Sequence, residues 1–132
     1  GDSVVLGAAG TSDCRARADL HTTATLLSAL TGSRVSLGFA ATGGPHVREA
    51  VDLARASGAR RVVVASYLLA DGLFQEQLRA SGADLVSRPL GTHPRLARLI
   101  ASRFRRAVPA AATRHPVRHY RRGTPTLAML DL

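Results

Sequence analysis

A chain of 132 residues makes one ordinary domain, long enough to bury a core and too short for two. Its single cysteine, Cys14, excludes an internal disulfide, and no window reaches the ~18 consecutive apolar residues of a membrane helix, so a reduced, cytoplasmic setting is expected. The formal charge of +9 arises at one end: residues 1–84 hold eight Arg and eight Asp or Glu, whereas ten Arg and one acid, Asp131, follow from Leu85 onward.

Apolar runs and helix-period segments alternate, which predicts βα units around a parallel sheet. Ser3–Ala9 reads as a buried strand and Asp13–Leu30 as a helix with Leu20, Leu26, Leu27 and Leu30 inward. A turn and second strand follow over Gly32–Ala40, then a helix started by Pro45 and stopped at Gly58. The most apolar run, Val62–Tyr67, predicts a central strand whose exit is the loop Leu68–Gly72. A short helix, a turn at Gly82 and a fourth strand near Asp84–Ser87 come next. The last helix, with Thr92 as N-cap and Leu96, Leu99, Ile100 and Phe104 on one face, ends at Ala107. Residues 108–132, with three Pro and little periodicity, read as a basic tail outside the α/β domain of residues 1–107. The absence of Met before Gly1 and of any signal-peptide pattern reads as a trimmed chain or a domain cut from a longer protein.

Several chemistries lack their patterns. GxxxxGK[ST], GxGxxG and GxSxG are all missing, which argues against nucleotide binding and against a serine hydrolase. His46 and His93 sit at helix starts beside Pro, His21 lies inside a helix, and Pro116 separates His115 from His119, so the five histidines form no metal-ligand pattern. Ser66 reads as a small packing residue. The neutral body and scarce aromatics argue against nucleic acid, and the Arg-rich end reads as a solvated tail; a polyanion binder or a non-enzymatic scaffold are the alternative readings.

In an open parallel sheet, ligands bind beyond the carboxyl ends of the strands. Gly10-Thr11-Ser12-Asp13 forms one such exit, with a Gly for close backbone approach, two hydroxyls and a helix start, although Ser12 or Asp13 is also an ordinary N-cap. Two phrases then speak together: GAAGTSDCRARADL at the first exit and VVVASYLLADGLFQEQL at the third, followed by GADLVSRPLGTHPRLARLI. Their order and spacing resemble the sirohydrochlorin chelatase family, which inserts cobalt or ferrous iron into a tetrapyrrole in cobalamin or siroheme synthesis. The similarity covers Ser3 to Arg106.

In that family the first motif resembles GHGSRDPRA, whose His handles metal or protons. Here Ala8 stands for the leading Gly and Ala9 for the His, and Gly10, Thr11, Ser12, Asp13, Cys14, Arg15 and Ala16 follow. The third exit in active members resembles FLxxGxHVRxDI; Leu69, Gly72 and Glu76 keep its shape, but Phe74 falls at the second His. The second exit, AATGGPHV, lacks the acid that many members place nearby.

The resemblance implies a flavodoxin-like, chelatase-type α/β fold: a four-stranded parallel sheet with helices on both faces and the strands Ser3–Ala9 and Val62–Tyr67 central. Long members resemble two such units facing across one cleft, and short members dimerise. This chain is most similar to a histidine-free second half. By that likeness it carries no catalytic residue, metal ligand or bound cofactor of its own, is inactive alone, and partners a homologous half, upstream in the same chain or in a second copy. Cobalt or ferrous iron is then a substrate of the parent enzyme. The tetrapyrrole would rest on Tyr67, Leu69 and Phe74, beside the turn at Gly72, with Gly10, Thr11, Ser12, Asp13 and nearby Arg meeting its carboxylates.

Overall fold

The computed structural model describes residues 1–112. They fall into two compact units that divide between His93 and Pro94, and each is described by itself. The first unit holds β1 (Asp2–Ala8), α1 (Cys14–Thr31), β2 (Arg34–Phe39), α2 (Val47–Ala56), β3 (Arg61–Ser66), α3 (Leu73–Arg79) and β4 (Leu85–Val86). All strand pairs are parallel and the order is β2-β1-β3-β4, so β1 and β3 are central as expected. Val5 pairs with Ser36 on one side and Val64 on the other, which sets the register.

Side chains alternate across this sheet because the strand period is two. Val5, Val62 and Val64 point to one face and are sealed by Val47, Ala50 and Val51 of α2 and Leu78 of α3. Leu6, Ala8, Leu37 and Phe39 point to the other, against Ala24 of α1. The general right-handedness of β-α-β crossovers accounts for this split, because the chain leaves β1 toward β2 but returns past β1 to reach β3.

The inward face of α1 differs from the expected one. Leu20, Ala24 and Leu27 meet the core, while Leu26 and Leu30 are 60% and 85% exposed. Positions 20, 24 and 27 form an i, i+4, i+7 stripe that lies over Leu37 and Phe39, and Leu26 and Leu30 fall about a quarter turn away. Asp13 caps α1, accepting from the Arg15 N–H at 2.8 Å. His46, rather than Pro45, begins α2: its side chain accepts from the Arg48 N–H while Glu49 accepts from the His46 N–H at 3.0 Å, a capping box.

The turn after α3 is clamped to α2 and β3. Arg48 donates to the Ala80 carbonyl at 2.8 Å and Arg55 to the Gly82 carbonyl at 2.7 Å. The Asp84 carboxylate accepts from the Val62 N–H at 2.7 Å and lies 3.3 Å from Arg55. The Val62 N–H, aided by the Arg55 charge, holds the Asp84 carboxyl below its ordinary range. A depressed folded pKa adds stability above the unfolded value and loses it as pH falls through the folded one. Asp84→Asn should therefore lower the urea midpoint at neutral pH, with the deficit against the unmodified chain closing as the pH falls below the usual Asp range; urea melts along a pH series check this.

In the second unit, α4 (Pro94–Ala112) runs past Ala107, where the helix was expected to end. Alanines 110–112 are strong helix formers and carry the final turn. The expected tail, residues 108–132, thus begins inside α4, and its part from residue 113 lies outside the described residues.

Candidate functional site

The carboxyl ends of β1 and β3 share one edge of the sheet, at the point where the strand order reverses. The β1 exit is bound to the β2 exit by backbone bonds: Ala40 N–H to the Ala8 carbonyl, Ala41 N–H to the Ala9 carbonyl, both 2.8 Å, and Thr11 N–H to the Thr42 carbonyl at 3.0 Å. Gly10 makes this possible. Its φ is +139°, and a Cβ there would lie 2.3 Å from the Thr42 carbonyl oxygen. The close approach that Gly10 permits is therefore to Thr42.

Thr11 and Asp13 are also occupied within the turn. The Asp13 N–H donates to Thr11 Oγ1 at 3.0 Å, and the Asp13 carboxylate is the α1 cap. Ser12 is exposed. Across the edge, the Arg17 guanidinium donates to the Gly44 carbonyl and stacks 5.3 Å from the centre of the Phe39 ring, tying α1 to the β2 exit.

The β3 exit is equally tied down. Tyr67 N–H donates to the Gly7 carbonyl at 2.7 Å, and the Leu90 and Gly91 N–H groups donate to the Leu68 and Leu69 carbonyls at 2.8 Å. On this fixed backbone the apolar side chains Tyr67, Leu69, Leu73 and Phe74 are 45%, 65%, 72% and 43% exposed. Gly72 precedes α3 with φ +154° and open space around it.

A groove of about 420 Å³ brings Gly10, Thr11 and Tyr67 together with Ala9, Asp19 and Leu20. Leu69, Gly72, Phe74, Ser12 and Asp13 do not line it. Asp19 went unnoticed in the sequence, although Ala16, Asp19 and Leu20 have the i, i+3, i+4 spacing of one helix face and do line the groove together. A smaller hollow of about 140 Å³ lies between α2 and β2, touching Arg34, Pro45 and Leu53, and holds none of the motif residues.

Gln75 was also missed. It is 1% exposed, its Oε1 accepts from the Ser66 hydroxyl at 2.7 Å, and its Nε2 donates to the Ser87 carbonyl at 3.0 Å. Ser66, expected only to pack, is thus part of a buried polar network, and its N–H donates to Ser87 Oγ at 2.9 Å. Among the described residues, no three His, Cys, Asp or Glu side chains group as metal ligands.

Arginine is unevenly committed in residues 1–93. Arg17, Arg48, Arg55, Arg61 and Arg79 bond carbonyls or carboxylates. The guanidinium groups of Arg15, Arg34, Arg60 and Arg88 have no partner among the described residues. Arg15 lies in the first turn of α1 and Arg88 follows β4, at the carboxyl edge; Arg34 and Arg60 lie at the strand starts.

Comparison with known proteins decides the family. The CbiX family model matches residues 3–107. This chain belongs to the CbiX family. That is the sirohydrochlorin chelatase family whose motifs the two exits resemble. A crystal structure of a protein from Marinobacter aquaeolei VT8, described as a cobalamin (vitamin B12) biosynthesis CbiX protein, is similar to this CbiX chain with a TM-score of 0.62 and 21% identity, covering 83% of this chain and 99% of that one. At that identity the likeness carries the fold: the α/β architecture with a four-stranded parallel sheet is the CbiX chelatase fold. No curated protein matches the chain. As a CbiX chelatase-type domain, it belongs to a family whose substrate is a tetrapyrrole, and no helix among its described residues is long and apolar enough to cross a membrane.

Proposed function

We propose that this CbiX domain is the non-catalytic half of a sirohydrochlorin metal chelatase, forming one wall of the tetrapyrrole cleft opposite a homologous half. The observation that carries the reading is the exposure of three large apolar side chains, Tyr67, Leu69 and Phe74, in the segment that follows β3 at the carboxyl edge where such sheets bind ligands. Since Leu69 is 65% and Phe74 43% exposed, covering the remainder with a macrocycle contributes about 1–2 kcal/mol and about 1 kcal/mol respectively. Arg15 and Arg88, whose guanidinium groups have no partner among the described residues, follow the neighbouring strand exits and suit the carboxylates of the macrocycle. Thr11 and Asp13 already bond within their turn, so the guanidinium groups are better placed for this than the loop side chains.

Metal insertion expels two protons from pyrrole nitrogens and needs a group to hold the entering cobalt or ferrous ion and accept those protons. Ala9 and Phe74 can do neither, which supports assigning that chemistry to the partner half. The test is absorbance titration of the full chain with sirohydrochlorin. The unmodified chain should bind, Phe74→Asp should weaken binding at least about tenfold, or about 1.4 kcal/mol, and Arg15→Ala with Arg88→Ala should make the remaining affinity less sensitive to salt. Failure of the unmodified chain to bind would overturn the reading.

A further inference from the structure

Three separate segments carry the candidate wall and its flanking guanidinium: Tyr67 directly after β3, the first turn of α3 with Leu73 and Phe74, and Ser87 and Arg88 directly after β4. One side chain joins all three. Gln75 accepts from Ser66, immediately before Tyr67, sits one residue after Phe74, and donates to the carbonyl of Ser87, whose own hydroxyl bonds the Ser66 N–H and the Arg88 carbonyl. Both ends of its amide are satisfied, and no buried side-chain polar atom among the described residues lacks a partner. A leucine of similar size would fill the space without either bond, so the network is not required merely to occupy volume. A fully satisfied buried network fixes one arrangement of its segments.

We infer that Gln75 is a positioning residue for tetrapyrrole recognition, setting Phe74, Tyr67 and Arg88 in the mutual arrangement that the ligand meets. The inference rests on the reading of this edge as a tetrapyrrole wall. Gln75 itself is sealed beneath the surface and touches no ligand.

Two variants of the full chain test it, each titrated with sirohydrochlorin well below its own melting temperature so that affinity is read on folded protein. Gln75→Leu leaves the Ser66 hydroxyl and Ser87 carbonyl unpaired, and its affinity should fall at least about tenfold. Gln75→Glu offers the same shape with a proton that can be removed. Burial raises the pKa of such an acid, so at about pH 5 it is neutral, accepts from Ser66 and donates to Ser87; at about pH 8 its charge opposes the Ser87 carbonyl. Affinity relative to the unmodified chain at the same pH should be within about twofold in acid and fall about tenfold in base, reversibly.

A purely structural role would move the melting temperatures and leave these relative affinities unchanged, which would overturn the inference while the tetrapyrrole reading stood. If Gln75→Leu does not fold, the pH split of Gln75→Glu decides alone, since both arms use one protein. No binding by the unmodified chain would overturn the tetrapyrrole reading and the positioning role with it.

Discussion

In a chelation assay, the unmodified chain is expected to insert cobalt or ferrous iron into sirohydrochlorin no faster than the spontaneous reaction. By the resemblance of the two exit motifs, Ala9 and Phe74 stand where the family motifs carry histidine, and the described residues contain no alternative trio of metal-ligating side chains. Restoring both, Ala9→His with Phe74→His, should raise cobalt affinity at least about tenfold in a calorimetric titration, because β1 and β3 are parallel neighbours and their exits share one edge. Insertion by that variant should still be slow, since a half-open cleft leaves the macrocycle solvated and poorly oriented. Turnover by the unmodified chain would mean that other residues hold the metal. An unchanged cobalt affinity in the double variant would mean that the two positions do not converge.

The largest loss of stability is expected from Gly10→Ala. Its backbone has φ +139°, and the added Cβ would meet the Thr42 oxygen at 2.3 Å and nitrogen at 2.6 Å, both backbone atoms in a strand exit that cannot swing aside. Conformational strain costs about 1–3 kcal/mol, and loss of the Thr11–Thr42 bond adds about 1. A total near 3 kcal/mol lowers the melting temperature by more than about 10 °C in a domain of this size. Gly72→Ala is the control: its φ is +154° but nothing lies within 4 Å, so only the conformational term applies and the shift should be about two-thirds as large. Equal effects in differential scanning calorimetry would show that the Thr42 contact adds nothing.

The order of strands and helices was legible in the chain itself. Val62–Val64 and Val4–Leu6 are short apolar runs between helix-period segments, and a parallel sheet buried on both faces requires that pattern whatever its surroundings. The family was legible for a related reason, since the two exit motifs are local phrases in a fixed order.

Other features depended on segments far apart in sequence. Leucines 20, 26, 27 and 30 all fit an apolar helix, but the angle at which α1 crosses β1 and β2 selects the stripe 20, 24 and 27 and leaves Leu26 and Leu30 outside. Gly10 reads as a ligand-approach residue, and only the fold shows that the β2 exit also brings Thr42 against it. Asp19 resembled any exposed helix acid, and Gln75 any polar residue of a short helix, because nothing adjacent reveals that one lines a groove with Tyr67 and the other is buried between Ser66 and Ser87. Periodicity belongs to a segment and follows from its own residues. Which side chains are buried, paired or left facing an opening depends on where the other strands and helices lie, and that is set only when the sheet has closed.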